Sequence, residues 1–177
     1  MLTFEESGMK FSFEEDSSFY IEKSNLYEAL RGKGISVVEC LTLKELRRGV
    51  YVLFIEAKTS APNPKSHEGM AFNQFIGEIA KKFLDSLLIC SAIHSEVQSM
   101  SGSIVLGKEL QRHLYSQPKI QFILIIKNHQ TEWCNSVQEA LQKRLHALLK
   151  IWKAEVLVLN EEQARIFHLC QSQSIDD

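Results

Sequence analysis

The chain has 177 residues, 45% hydrophobic and 24% charged, a composition suited to one globular domain with a substantial core. No apolar run reaches the roughly 18 residues that a membrane-spanning helix needs, and the first residues are acidic, so the expectation is a cytoplasmic protein with no membrane partner. Cys40, Cys90, Cys134 and Cys170 lie far apart, three of them in apolar-periodic segments. That spacing points to reduced core thiols rather than a disulfide framework or a zinc site.

The net charge of −2 conceals an asymmetry. Up to residue 30 the acids are Glu5, Glu6, Glu14, Glu15, Asp16, Glu22 and Glu28, against Lys10 and Lys23. From 31 to 65 the balance reverses, with Arg31, Lys33, Lys44, Arg47, Arg48, Lys58 and Lys65 against Glu39, Glu45 and Glu56. A basic segment can attract a phosphate backbone, although such segments also form ordinary solvated faces.

In chain order, Met9–Phe13 and Phe19–Glu22 alternate apolar and polar about a Glu14–Ser18 turn, which predicts an N-terminal hairpin over 1–22. Ser24 is placed to cap a short helix through Leu30, stopped by Arg31-Gly32-Lys33-Gly34. Ile35–Leu43 is the next predicted strand, with Glu39 interrupting a row made by Ile35, Val37, Leu41 and Leu43. After the polar connection Lys44–Gly49, the stretch Val50–Lys58 is apolar on both faces and ends in Glu56-Ala57-Lys58. A strand apolar on both faces is central in its sheet, so a carboxylate and an ammonium at its end are paired or bind something. The short connection predicts an antiparallel pair; a turn centred near Leu46 sets residue 39 opposite the region 53–56, and a modest register shift or bulge brings Glu39 and Glu56 within reach of a shared cation.

The Pro-containing loop Ala61–Ser66 follows, then a predicted helix from His67 to Ile93 with Phe72, Phe75, Ile76, Ile79, Phe83, Leu87, Cys90 and Ile93 at helical spacing. Gln74 and Glu78, one turn apart in its first turns, face either the strand end or water. Residues 95–117 form an irregular excursion, rich in Ser and Gly over 99–107. Lys119–Lys127 is a strongly apolar strand, Thr131 caps a helix running to Trp152, and Ala154–Leu159 is a last strand. This strand–helix–strand run predicts a right-handed crossover between parallel strands and hence a mixed sheet. A short helix and polar tail occupy 161–177. The chain is therefore read as α/β and as one domain: hairpin 1–22, core 23–127, helix–strand extension 128–160 and tail 161–177.

The order of a helix, Glu39 on one strand, Glu56-Ala57-Lys58 on the next, then a helix and another apolar strand, resembles the core of the PD-(D/E)xK nuclease superfamily over roughly residues 20–127. The resemblance implies a restriction-endonuclease-like central mixed sheet with helices on both faces, and Mg²⁺- or Mn²⁺-dependent cleavage of nucleic acid. It implies that Glu39, Glu56 and the Ala57 carbonyl hold the metal while Lys58 assists the attacking water, with Glu28 and Gln74 as the additional helix residues some members use. Val38-Glu39 departs from the more usual Pro-Asp. Without the metal, the same fold implies an interaction or assembly module. A small core of this kind is also expected to work as a homo-oligomer or with a protein partner.

Overall fold

The computed structural model describes residues 1–63, 69–95, 97 and 106–171. Two strands, β1 (Leu2–Glu6) and β2 (Met9–Phe13), form a hairpin. β3 (Ser18–Phe19), β4 (Cys40–Leu46), β5 (Gly49–Lys58), β6 (Lys119–Ile126) and β7 (Glu155–Asn160) form a mixed sheet in that order. The helices are α1 (Asn25–Leu30), α2 (Gly69–His94), α3 (Lys108–Leu114), α4 (Thr131–Arg144), α5 (His146–Trp152) and α6 (Glu161–Ile166).

β4 and β5 pair antiparallel through a two-residue turn at Arg47-Arg48, while β5, β6 and β7 are parallel neighbours joined by helical crossovers. β5 is thus central, as its two apolar faces require. On one face Val52, Phe54, Phe122 and Leu124 pack beneath Ile79, Phe83 and Leu87 of α2 and Val137 and Leu141 of α4. On the other, Leu53, Ile55, Ile123 and Ile125 meet Phe4, Met9 and Phe11 of the hairpin and Ala164 of α6. That second face is covered mainly by the hairpin and by the single short helix α6, which replaces the helical layer expected there. No helix among the described residues is long and apolar enough to cross a membrane.

Several boundaries differ from those the sequence predicts, each for an identifiable reason. β2 pairs with β1 across Ser7-Gly8, and the expected partner near residue 19 instead joins β4. Ser7 and Gly8 both have positive φ, at 52° and 70°, the backbone a tight two-residue hairpin turn requires. A tight 3₁₀ turn at Glu15–Ser17 then redirects the chain toward the main sheet. The N-terminal hairpin is consequently packed on the core through Phe4, Met9 and Phe11, while Glu5, Glu14, Glu15 and Asp16 stay exposed.

The predicted strand from Ile35 begins only at Cys40, because two of the N–H groups before it, those of Ser36 and Val38, are taken by helix side chains. Ser36 N–H donates to Asp85 Oδ2 and Val38 N–H to Ser86 Oγ, both at 2.9 Å. Ser24 does cap α1, accepting from the Tyr27 N–H at 3.2 Å. Thr131 does not cap α4; its Oγ1 accepts from Asn160 Nδ2 at 2.9 Å and ties the start of α4 to the end of β7. The single helix expected to reach Trp152 divides at Leu145, although the ladder continues from Leu145 N–H to Leu141 O and from Leu149 N–H to Leu145 O. The stretches 64–68, 98–105 and 172–177, including the start of the predicted helix at His67 and much of the Ser- and Gly-rich excursion, lie outside the described residues.

Candidate functional site

The C-terminal end of β5 collects the charge that its sequence announced. The register Cys40↔Ile55 extends by one residue, with Glu39 N–H donating to Ile55 O at 3.0 Å, so Glu39 stands opposite Glu56. Side chains alternate along a strand, so Glu56 falls on the face of Val52 and Phe54, beneath α2. Both carboxylates are withdrawn from water, Glu56 at 0% exposed and Glu39 at 2%.

Lys82 of α2 descends between them. Its Nζ lies 2.7 Å from Glu56 Oε1 and 3.6 Å from Glu39 Oε1. Lys58, two residues beyond Glu56 on the same face, places its Nζ 2.6 Å from the same Glu56 oxygen while a third of its side chain reaches solvent. Glu56 Oε1 thus has two ammonium partners. Among the described residues, no donor reaches the buried Glu56 Oε2 and Glu39 Oε2. Such an orphaned oxygen carries a large desolvation cost unless a proton or cation meets it.

The titration of the group follows from this arrangement. Burial first, and then the Glu56 carboxylate, push Glu39 up from 4.5 to about 9. Burial also raises Glu56, against the opposing pull of Lys82 and Lys58. For Lys82, burial acts downward, but Glu56 and Glu39 outweigh it and leave the ammonium favoured.

A second group of acids approaches Glu39 from the hairpin side. One carboxylate oxygen each from Glu6, Glu22 and Glu39 lie within 4.8 Å of one another. Glu6 closes β1 on the face of Phe4, so alternation turns it toward the sheet; Glu22 sits in the 3₁₀ turn Ile21–Lys23. Burial, followed by the fields of Glu22, Glu39 and Glu6, pushes the nearby Tyr20 phenol up to about 12. Because β4 starts only after Glu39, both layers reach that residue, Lys82 from the α2 side and Glu6 from the hairpin side.

The residues expected from sequence divide accordingly. Glu39, Glu56 and Lys58 come together. Glu28 does not: it is exposed on α1 and paired with Arg31 at 3.1 Å. Gln74 is also exposed, its Nε2 donating to Glu78 Oε1 at 2.9 Å on the solvent side of α2. The Ala57 carbonyl already accepts from Ser7 Oγ at 3.1 Å, so it is engaged by the hairpin turn. The basic segment is displaced as well, since Arg47 and Arg48 occupy the turn before Gly49, about 30 Å from Lys58 at the usual rise along a strand. The local field at the strand end is set by Lys58 and Lys82 among carboxylates.

Sequence reasoning missed Lys82, Glu22 and Glu6. Lys82 had one usable signal, lying one turn after Ile79 beside the apolar stripe, where an exposed side chain was not guaranteed. An oxygen-only donor set with orphaned buried carboxylate atoms has the chemistry of a hard divalent-cation site, to which Glu39 and Glu56 could each offer an oxygen. Fold and site together define an α/β protein with a mixed five-stranded sheet and a buried carboxylate–lysine cluster at the end of its central strand. Compared with protein-family models, curated proteins and solved structures, the chain matches none.

Proposed function

We propose that this protein is a metal-dependent nuclease of the PD-(D/E)xK type, with a restriction-endonuclease-like core, hydrolysing phosphodiester bonds in nucleic acid with Mg²⁺ or Mn²⁺. The observation carrying this reading is the opposition of Glu39 and Glu56 on neighbouring strands, both buried, each with an oxygen that no donor among the described residues satisfies, and Lys58 beside them. The antiparallel β4–β5 pair, the crossover through α2 and the parallel β6 support it at the level of topology.

Hydrolysis adds a water oxygen to phosphorus as the bond to the leaving sugar oxygen breaks; the water gives up a proton and the leaving oxygen takes one. A bound divalent cation would lower the pKa of such a water and neutralise charge on the phosphate. Glu39 and Glu56 supply the anionic cradle. Lys58 spans from the buried Glu56 to solvent, where its ammonium can orient the water and stabilise negative charge developing on the phosphate oxygens. Thr59 and Ser60, exposed just beyond, offer hydroxyls to a phosphate backbone. Lys58→Ala should lower cleavage of single- or double-stranded DNA or RNA by about 10²–10³-fold while leaving Mn²⁺ binding in place, since an ammonium is not a ligand. Absence of cleavage by the wild type, with either metal and in oligomeric or partner-bound form, would overturn the reading.

One observation favours a second reading, a non-catalytic interaction or assembly module on the same fold. Lys82 already bridges both carboxylates, so the cluster has an internal counter-charge. In that case Mn²⁺ should leave the melting temperature unchanged, and removing Lys58 should alter stability alone.

A further inference from the structure

We infer that Glu6 and Glu22 complete, with Glu39, a second divalent-cation site on the hairpin side of the strand end, Glu39 being shared with the Glu39–Glu56 pair. The inference rests on the proposed reading only for Glu39; its new ligands come from the N-terminal hairpin and the Ile21–Lys23 turn.

Three elements distant in sequence bring one oxygen each to within 4.8 Å of one another. Three carboxylates at that spacing repel unless protons or a cation intervene. Among the described residues, no Lys or Arg forms an ion pair with Glu6 or Glu22; Lys58 is paired with Glu56, and Lys82 with Glu56 and, at 3.6 Å, with Glu39. The independent sign of a ligand is the Glu39 Oε2 atom, buried on a residue only 2% exposed and met by no hydrogen-bond donor among the described residues. A neutral acid pair with Glu22, within hydrogen-bonding reach, would satisfy one proton but leave Glu6 uncompensated.

The surroundings are those of a built site. Ser7 N–H donates to Glu6 Oε1 at 3.1 Å and the single Ser7 hydroxyl proton goes to Ala57 O at 3.1 Å, so the turn holds the Glu6 carboxylate against the end of β5. Lys127 Nζ donates to Gly8 O at 2.7 Å and anchors the turn from β6's end. Gly8 has a φ of +70°, which strains any L side chain, and a Cβ there would also displace the Lys127 ammonium that anchors the turn. Glu6 and Glu22 are half-buried, which leaves a hydrated ion a route in. With carboxylates only, and neither Cys nor His in the set, the site suits Mg²⁺, Mn²⁺ or Ca²⁺ rather than a softer metal.

The test counts bound Mn²⁺ on the full chain by the loss of the free-ion paramagnetic resonance signal, with folding checked by thermal melting. The wild type should hold two ions, and E6Q/E22Q and E56Q one each. Wild-type stoichiometry in E6Q/E22Q overturns the inference whatever the cleavage assay gives. A single wild-type ion lost in both variants means one shared site and overturns it too. An ion lost in E6Q/E22Q but none in E56Q upholds the inference and removes the Glu39–Glu56 pair as a metal site. No binding at millimolar Mn²⁺ overturns both. Should the double variant melt early, E6Q alone, altered at a half-buried turn position, carries the same outcomes.

Discussion

A carboxyl group taken from water and set beside other carboxylates holds its proton, and Glu39 is so placed, facing Glu56 and Glu22 with Lys82 as the opposing cation. In the metal-free protein its pKa is about 9 against an ordinary 4.5. Across that window the folded chain binds a proton that the unfolded chain has released, so the contribution of Glu39 to stability falls as pH rises. Glu39→Gln should flatten the decline between pH 5 and 9 in urea-unfolding free energies; an unchanged slope would place the titration elsewhere. The two lysines should separate equally well. Lys82, with 20% of its side chain exposed, is the main counter-charge of a fully buried Glu56, and Lys82→Met should cost about 3–5 kcal/mol, the range for breaking a buried pair. Lys58 is a third exposed, and solvent screening reduces the effect of Lys58→Ala to about 1 kcal/mol or less. Equal losses by denaturant titration would mean that Lys82 is not the principal partner.

At the scale of elements, α2 does more than cover the sheet. Ser86 and Asp85 accept the N–H groups of Val38 and Ser36, holding the segment before β4 so that Glu39 arrives opposite Glu56. Asp85 is in turn paired with Lys81 on the same helix. Ser86→Ala would leave the buried Val38 N–H without its acceptor, a loss of about 1–3 kcal/mol. The expected signature is faster amide exchange at Val38 along with the lower stability; full protection there would mean the clamp lies elsewhere. The hairpin has a comparable role on the opposite face, where Phe4, Met9 and Phe11 seat it and its turn carries Glu6 and Ser7 to the strand end.

For the whole molecule, the sheet edges bear on the expectation of self-association. β3 is two residues long, and on β7 the Val158 N–H is occupied by Gln138 Oε1 and the Asn160 N–H by Gln163 Oε1, both at 3.0 Å. An edge guarded in this way resists strand-to-strand pairing. Gln138→Ala should therefore increase concentration-dependent association measured by light scattering. Unchanged scattering would mean that other features of β7 suffice.

Local periodicity determined β5, β6, β7 and the body of α2, because an apolar alternation or a three-to-four spacing is written in adjacent residues. The Lys44–Gly49 connection likewise pointed to an antiparallel pair with residue 39 opposite 53–56, but the exact register came from a turn tighter than expected, at Arg47-Arg48, which sets Glu39 against Glu56. The start of β4 was not legible, since it depends on whether Val38 bonds to a strand or to Ser86, a helix residue 48 positions away. Glu28 and Gln74, which the family resemblance implied, face solvent, whereas Lys82, Glu22 and Glu6 enter the cluster through the packing of α2 and the hairpin. The sequence by itself thus determined which strand is central and which charges end it. Only the tertiary structure decided their neighbours, because contacts between layers depend on how helices and hairpins seat on the sheet, and no local pattern encodes that seating.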